Sequence, residues 1–546
     1  MRGCHTTGQF ISAPNVDLPS RVIRFCLLPF IMAGPCWTCR KRTIQCDMSA
    51  TPCAKCQKAG LECFETRPLR WVKGMAIRGK MRGVILENDQ QASAKTFSGT
   101  AKMRQTSYMD RQTSETCLNR PLFPLEDPCI QALNASSRFY LDYFNMRVCK
   151  LFILQDSDSN PFRRLLSYAI NGPDFLLRKG ILALSARHYA NSGHPFDEGF
   201  ANASPRFLNA NMDALHFKKQ TIQALNEALT KPNTYQNSTL TPTILLLIFL
   251  DILESGIEGW NYHLRGAGEI VNFCGSIVES NPNNIDQFKD QDGSLRMDSD
   301  TRDFVARQFA LISTLGDAFS GSSSHCDYFL DDTAGLRQES IIRSFLGCPD
   351  FLLGGIRYLS SQRYFFEDLQ HQRPDVIKYH LQETKSMLEL IENFDSLDWA
   401  SASLSSTSSS INARYLSLLC EAYKNAALLY GRRILGGFPC FDVIPSSSDE
   451  DLASRSLVII DSLKGHAMLF KCLLWPTFIV GLACHTQETR DSVNRHLRTL
   501  WDLTSCLNII SASRILKEYW VEQDSRGFLG NVGHEMQPID QGWLLI

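Results

Sequence analysis

Six cysteines near the start of the chain, spaced as two copies of one short pattern, constrain its fold more than any other feature. The pattern is C-x2-C-x6-C-x6-C-x2-C-x6-C, and its members are Cys36, Cys39, Cys46, Cys53, Cys56 and Cys63. A pair separated by two residues can grip one metal ion, and six residues of helix would then supply a further thiolate. The repeated spacing argues against a chance cluster, and a mononuclear zinc site is the remaining structural alternative.

The number of thiolates indicates how many metal ions they hold. Two tetrahedral zinc ions need eight bonds, which six thiolates supply only if two of the sulfur atoms bridge the metals. Basic residues lie between the ligands and would offset the negative charge of the metal core or face phosphates: Arg40, Lys41, Arg42, Lys55 and Lys58. The sequence therefore predicts a cofactor of two Zn²⁺ per chain.

This segment closely resembles the fungal binuclear zinc-cluster family, known as Zn2Cys6. All six spacings match, as do the basic run after the second cysteine, Asp47 after the third and Pro52 before the fourth. The resemblance implies that Cys36 and Cys53 bridge the two metals. It also implies a short helix, holding residues 40–45, that enters the major groove and reads a CGG-like triplet.

The DNA contacts expected from this resemblance lie on that helix: Arg40, Lys41, Arg42, Thr43 and Gln45. The family commonly carries Lys or Arg at the positions of Thr43 and Gln45. Gln can pair with adenine edges, and Thr can contact a base or a thymine methyl group. The loss of two cations should weaken non-specific binding and its dependence on salt, so the triplet that this chain reads is left open.

Charge is distributed unevenly along the 546 residues, whose net charge is −1. Residues 36–82 hold eleven Lys or Arg and three Asp or Glu, a balance of +8, which leaves −9 for the rest. A basic head on a mildly acidic body is typical of a nucleic-acid reader with a separate partner domain. The basic residues between 67 and 82 would contact phosphates or direct the chain to the nucleus, and a solvated linker is the alternative.

We predict four segments: an extension of little structure over residues 1–31, the zinc domain over 32–66, a basic and then polar flexible linker over 67–125, and an all-helical regulatory domain over 126–546. Met32 is an alternative start of the chain. Residues 25–33 have the length of a signal-peptide apolar region but begin late and end in the cysteine cluster. The thirteen other cysteines are scattered singly, which favours a reducing compartment and buried thiols.

Beyond the linker the apolar residues recur at steps of three and four, which predicts helices, whereas period-two strands are scarce. We expect a mostly α fold of packed antiparallel helix pairs. The clearer helices should cover about residues 304–319, 374–394, 414–435, 452–465 and 490–504. The Ser-rich stretch 401–410 is expected to be a loop, and residues 446–451 a loop that ends in an acidic helix start.

The helical body resembles the fungus-specific transcription-factor domain over about residues 128–535, on short pieces such as FYLDYF, WNYHLRGA and LWPTFIVG in that order. In that family the domain is regulatory and is expected to sense a small-molecule effector or to contact other proteins. Together the two resemblances imply a zinc-dependent, nuclear transcription factor of RNA polymerase II genes. Its expected partners are double-stranded promoter DNA and the transcription machinery or co-regulators, with no membrane.

Two other classes of protein remain as alternatives. A protein-interaction regulator with a weakened DNA-reading helix would bind DNA without regard to sequence. A helical enzyme with an accessory zinc module would need convergent catalytic groups, and we find no nucleophile elbow, phosphate-binding loop, dinucleotide fingerprint or zinc-protease motif. We therefore predict that the chain is not an enzyme and has no catalytic residues.

Overall fold

A computed structural model of the chain describes these residues: 35–47, 53–64, 133–171, 175–197, 204–230, 238–257, 259–280, 297–319, 341–367, 372–405, 409–436, 448–526 and 542–546. They belong to two compact units, one with the cysteine cluster and one with everything from residue 133 onward. The expected extension over 1–31 and the expected linker over 67–125 lie outside the described residues.

The smaller unit contains two five-residue helices, α1 (Trp37–Lys41) and α2 (Ala54–Lys58). Each begins directly after a cysteine of the cluster and carries another cysteine in its middle. Helices of this length are unstable alone because nucleation costs more than a few hydrogen bonds return. Their stability therefore depends on what the cysteines hold together.

The larger unit is built from helices, with no strand among its described residues. In chain order they are α3 (Ala135–Met146), α4 (Pro161–Asn171), α5 (Phe175–Asn191), α6 (Pro205–Leu229), α7 (Leu240–Glu254), α8 (Trp260–Ser280), α9 (Ser299–Asp317), α10 (Asp350–Glu367), α11 (Pro374–Glu392), α12 (Ser396–Ser405), α13 (Ala413–Leu435), α14 (Asp449–Ser462), α15 (Ala467–Phe470), α16 (Leu474–Leu482), α17 (Gln487–Thr504) and α18 (Leu507–Arg526). The mostly α fold class is confirmed.

The expected helices agree with α9, α11, α13, α14 and α17 to within a few residues. The acidic start of α14 is also present, since the Ser448 side chain accepts a hydrogen bond from the Asp451 amide at 3.0 Å. The loop expected over residues 401–410 is partly wrong, because α12 continues through Ser405. This helix packs against α13 with Ala400 fully buried, and that packing outweighs the weak helix preference of serine.

Two helices lie at the centre of the larger unit because they are apolar on every face. In α7 every residue from Pro242 to Leu253 is buried, and in α16 every residue is buried. A helix without a polar face can only be covered by other helices. The other helices, such as α17, bury one stripe and expose the opposite face.

Aromatic rings connect α7 to its neighbours. Phe152 stacks on Phe249 of α7 with ring centroids 4.0 Å apart, and Phe162 of α4 meets the Phe304 ring of α9 edge-on at 5.2 Å. Such pairs contribute about 0.5–1.5 kcal/mol each beyond the area that they bury. The rings thus join four separate stretches of the chain into one core.

The described cysteines outside the cluster are buried, unbonded thiols, as the sequence predicts: Cys149, Cys348, Cys420, Cys472, Cys484 and Cys506. Burial raises the pKa of the Cys472 thiol to about 12, so it stays protonated and behaves as a small apolar side chain. Among the described helices, none combines the length and the apolar character that crossing a bilayer requires.

Candidate metal centre and nucleic-acid interface

The two halves of the cluster fold in the same way, with an offset of 17 residues. Cys36 and Cys53 each precede a short helix, and each sulfur accepts a hydrogen bond from the amide three residues later, at 3.3 and 3.4 Å. Both residues have extended backbone angles, with φ −57° and −64°. A repeated sequence pattern has therefore produced a repeated local structure.

Each short helix is followed, two residues later, by a left-handed residue that turns the chain back. Thr43 has φ +54° and Gly60 has φ +61°, at equivalent positions. The amide of Ile44 donates to the Cys39 carbonyl at 3.2 Å and the amide of Leu61 to the Cys56 carbonyl at 3.0 Å, as in a Schellman motif. The turn directs the chain back so that Cys46 becomes buried in the cluster.

The helix that we expected over residues 40–45 is wrong in its bounds. The helix is α1, which ends at Lys41, and Thr43 lies in the left-handed turn beyond it. Continued helical winding, which we invoked to bring in the third cysteine, is wrong for the same reason. A reversal after one turn returns Cys46 to the other thiols.

The cysteine sulfur atoms lie at distances that fit zinc. Pairs between the halves are separated by 3.9 Å (Cys36 and Cys53), 3.8 Å (Cys36 and Cys56), 3.6 Å (Cys39 and Cys53) and 3.8 Å (Cys39 and Cys56). Sulfur atoms bound to one tetrahedral zinc at about 2.3 Å would be about 3.8 Å apart. These four thiols are buried, and a metal would replace contacts that otherwise join only sulfur to sulfur.

The other two cysteines lie beside Cys53. The Cys46 sulfur is within 4.8 Å of the Cys53 sulfur, and the Cys63 sulfur accepts a hydrogen bond from the Cys53 amide at 3.5 Å. All six predicted ligands therefore come together in one cluster, in which Cys53 adjoins members of both halves. Thiolates at this spacing can share two metal ions.

The environment favours a thiolate at two of the cysteines and disfavours it at others. Hydrogen bonding from the Cys56 amide lowers the pKa of Cys53. Burial acts to raise the pKa of Cys36, but hydrogen bonds from the Cys39 amide and from nearby thiols lower it on balance. Burial, with help from neighbouring sulfurs, raises the pKa of Cys39 to about 12. Metal binding must therefore displace protons from the more basic thiols.

Each half also accepts a hydrogen bond from the first backbone amide of the helix in the other half. The Asp47 carboxylate accepts from the Ala54 amide at 3.1 Å, and the Phe64 carbonyl accepts from the Trp37 amide at 2.7 Å. Asp47 and Phe64 are equivalent residues, since each directly follows the last cysteine of its half. This reciprocal capping fastens the two halves without using a metal ligand.

One contact of the first half has no counterpart in the second. The Thr38 hydroxyl donates to the Glu62 carbonyl at 2.8 Å and accepts from the Phe64 amide at 3.1 Å. The equivalent position in α2 is Lys55, which cannot bond in this way. Sequence reasoning missed the role of Thr38, because a threonine between two cysteines carries no distinctive signal.

The five expected DNA contacts are all exposed, in the last turn of α1 and the reversal that follows it: Arg40, Lys41, Arg42, Thr43 and Gln45. The Lys41 ammonium lies 5.1 Å from the centre of the Trp37 ring, which orients that side chain by a cation–π contact. Ile44, between these residues, packs against the cysteine cluster. The first half therefore presents three cations and two polar side chains on a backbone that the cysteine cluster holds in place.

His188 and His263 of the larger unit are packing residues. His188 is buried, with its ring nitrogens 2.8 Å from the Tyr143 hydroxyl and 3.1 Å from the Thr504 carbonyl. Burial lowers the pKa of His188 to about 4, so it is neutral near pH 7. His263 faces the buried Asp251 carboxylate at 3.6 Å.

Comparisons with known proteins agree with this geometry. Residues 34–72 match the family described as the fungal Zn(2)-Cys(6) binuclear cluster domain, and residues 139–543 match the fungal specific transcription factor domain. The chain is similar to the acriflavine sensitivity control protein acr-2 of Neurospora crassa, with 23% identity over 436 residues that cover 77% of this chain and 69% of that protein. No solved structure matches the chain.

These families are transcription-factor domains and not enzymes, in agreement with the sequence prediction. The longer match covers well over half of the chain, and the shorter one covers the cysteine cluster. The chain therefore belongs to the fungal specific transcription factor family, as a DNA-binding regulator of transcription whose binuclear cluster binds two zinc ions.

Proposed function

We propose that the protein is a sequence-specific, nuclear transcription factor of RNA polymerase II genes that reads a CGG-like triplet through the exposed last turn of α1 and the reversal that follows it. The observation that carries this proposal is that Arg40, Lys41 and Arg42 are all exposed at the end of α1, beside the buried cysteine cluster. Arg is the side chain best suited to guanine, because its guanidinium bonds the O6 and N7 acceptors together.

The same proposal assigns the metal ligands and their roles. All six cysteines of the cluster are ligands, and Cys36 and Cys53 bridge the two zinc ions. In support, these two sulfurs receive backbone hydrogen bonds at the starts of α1 and α2, which favour a thiolate there. The limits 32–66 and 126–546 that we expect for the two domains belong to the proposal as well.

Thr43 and Gln45 are the residues that we expect to change the preferred DNA sequence from a plain CGG triplet. Thr43 lies at the tip of the turn and its hydroxyl donates to the Arg42 carbonyl at 2.7 Å, so it offers its methyl group and an acceptor. Gln45 is exposed beyond it and suits an adenine edge. We therefore expect altered bases beside the triplet.

Selection of bound sequences from random duplex DNA tests this function. The full chain, purified with zinc, is used at near-physiological salt and is compared with Arg42→Ala and with Lys58→Ala, which removes one exposed cation from the second half. Enrichment of one triplet by the unaltered chain and by Lys58→Ala, but not by Arg42→Ala, is expected. No enrichment from a chain with two zinc ions would favour a protein-interaction regulator that binds DNA weakly or without specificity.

A further inference from the structure

A group of exposed apolar side chains lies where α10 begins, α11 ends and α12 begins. It consists of Phe351, Leu390, Phe394 and Leu397, and we call it the apolar patch. The Phe351 ring stacks on the Phe394 ring with centroids 5.1 Å apart. The exposed fractions are 40% for Phe351, 57% for Leu390 and 56% for Leu397, whereas Phe394 is half-buried. A group of exposed apolar residues, unlike a single one, is typical of a binding surface.

Two adjacent glycines of α10 shape the surface beside the apolar patch. At Gly355 an added Cβ would lie 3.0 Å from the Ile391 side chain, so this glycine lets α10 and α11 approach closely. At Gly354 an added Cβ would meet no atom within 4 Å, and the residue is exposed. Packing within the chain therefore does not explain Gly354, although glycine weakens a helix relative to alanine. Gly354 lies one turn after Phe351 and leaves room for the backbone of a partner.

Negative charge borders the apolar patch. Each of its four residues has an exposed acidic neighbour in the chain: Asp350, Glu389, Asp395 and Asp398. Residues 386–405 hold four acidic side chains and no Lys or Arg, and residues 344–356 hold one acidic side chain and no Lys or Arg. Lys424 of α13 approaches the patch, but Glu421 at 2.7 Å and the Phe394 carbonyl at 3.2 Å engage its ammonium. The surface therefore suits a partner that carries positive charge.

The acidic residues of this border differ in whether the fold itself favours them. The Asp395 carboxylate caps α12, since it accepts hydrogen bonds from the Leu397 and Asp398 amides at 2.9 Å. Asp398 lies in the first turn of the same helix, where the macrodipole favours negative charge. Glu389 lies in the last turn of α11, where the macrodipole favours cations instead. Helix stability therefore explains the two aspartates but not Glu389.

The charge of this surface disfavours several kinds of occupant. A second copy of the chain, related by a two-fold axis, would bring acid against acid across the patch. Nucleic acid and anionic membranes carry negative charge and would be repelled for the same reason. The described residues of the larger unit offer no strand edge to which an extended peptide could add. A basic amphipathic helix fits, because its apolar face would cover the patch and its cations would meet the acids.

We propose that the apolar patch and its acidic border are a docking site for a basic amphipathic helix of a partner protein. Apolar side chains at helical spacing would pack on Phe351, Leu390 and Leu397, and Lys or Arg would face the carboxylates. The helix would cross Gly354, where no side chain stands in its way. This inference does not rest on DNA recognition, and its test contains no DNA. A failure here is therefore distinguishable from a failure of the proposed function.

Binding of a model peptide to the full, zinc-bound chain tests the site. The probe is a fluorescent peptide of Leu and Lys alone, with Leu at steps of three and four so that its helix has one apolar face. Leu390→Gln with Leu397→Gln should weaken its binding about tenfold, because two apolar contacts are lost. The control is Val521→Gln, on α18 with 69% of the side chain exposed, which should change the affinity less than about twofold. Equal affinities for the two variants would overturn the proposal.

Charge reversal separates a docking role of Glu389 from a role in folding. Glu389→Lys puts a cation in the last turn of α11, which the macrodipole favours, so the thermal midpoint of the chain should not fall. Binding of the peptide should nevertheless weaken about threefold at low salt. Glu518→Lys, at an exposed position of α18, is the control and should have a smaller effect. An equal loss with both variants would mean general attraction to an acidic chain and would contradict the proposal.

Three further measurements check where and how the peptide binds. Gly354→Leu fills the open surface and should weaken binding about tenfold without lowering the thermal midpoint, whereas an unchanged affinity would place the peptide elsewhere. A peptide of the same composition with Leu and Lys in alternation lacks an apolar helical face, so equal binding by it would also overturn the proposal. Sedimentation of the unaltered chain completes the test. A dimer that Leu390→Gln with Leu397→Gln abolishes would assign the patch to a second copy instead.

Discussion

The two halves of the zinc cluster share one backbone but differ in what they place on it. After the second cysteine of each half, the first half carries Arg40, Lys41, Arg42 and Thr43, whereas the second carries Gln57, Lys58, Ala59 and Gly60. Hydrogen bonds of nearly equal length fix both turns, such as 3.1 Å from Thr43 to Arg40 and from Gly60 to Gln57. The two halves thus share one backbone turn, on which the first half places three cations and the second half places one.

The largest expected effect tests whether the two halves share their metals through the first cysteine of each. Cys53→Ala should lose both zinc ions, because a bridging sulfur belongs to both coordination shells. Cys46→Ala, which removes a terminal ligand, should retain about one. Zinc supplies about 10–16 kcal/mol to small zinc domains, so loss of both ions should unfold the cluster.

Zinc content by elemental analysis, with circular dichroism of the same samples, checks this prediction. Cys36→Ala and Cys63→Ala, at the positions equivalent to Cys53 and Cys46, repeat the comparison. Two zinc ions retained by Cys53→Ala would end the bridging assignment.

The second largest effect, on DNA affinity, is expected when exposed residues of the first half are replaced by those at the equivalent positions of the second. Arg40→Gln with Arg42→Ala leaves the backbone and cysteines in place but removes two cations from the exposed turn. Each guanidinium that contacts a base or phosphate contributes about 1–3 kcal/mol, so affinity for the selected DNA should fall at least 30-fold.

Fluorescence anisotropy at several salt concentrations measures the affinity and the number of phosphate contacts. Lys58→Ala is the control from the second half and should change the affinity less than threefold. A loss of zinc from the double variant would show that the arginines stabilise the cluster instead of reading DNA.

A smaller effect follows from the residue at the left-handed turn. Thr43 is β-branched and has φ +54°, a conformation that costs non-glycine residues roughly 1–2 kcal/mol. Thr43→Gly should stabilise the zinc-bound cluster by about 1 kcal/mol, and Gly60→Thr should destabilise it by a similar amount. Competition for zinc with a chelator measures both changes. Weaker zinc retention by Thr43→Gly would mean that the threonine side chain supports the fold.

The smallest effect concerns reciprocal capping. Asp47 uses its side chain to bind the Ala54 amide, whereas Phe64 uses its main chain to bind the Trp37 amide. Asp47→Ala should therefore cost about 0.5–2 kcal/mol, and Asp47→Asn should cost less because an amide oxygen still accepts. The thermal midpoint of the zinc-bound cluster is the measurement. Equal midpoints for all three proteins would show that the bond contributes nothing.

Local structure could be predicted from the sequence more fully than contacts between distant residues. The cysteine spacing and the helical periodicity are local patterns, so the cluster and helices such as α13 are predictable from them. The left-handed turn at Thr43 was missed because threonine is unfavourable there, although Gly60 marks the same turn in the second half. The repeat could have transferred that signal from one half to the other.

The contacts that join distant residues could not be predicted. Trp260 and Gly542 are 282 positions apart, and nothing near either residue indicates the other. Likewise α12 exists because Ala400 is buried against α13, while its serine-rich sequence alone favours a loop. Both cases depend on packing, which appears only when the whole chain is assembled.

The apolar helix α7 has a consequence for synthesis of the protein in the cell. One of the helices that cover it is α18, which leaves the ribosome about 250 residues later. At 5–20 residues per second, α7 waits roughly 12–50 s for that partner. During this interval a strongly apolar helix lacks part of its cover. Newly made chains should therefore depend on chaperones until α18 arrives.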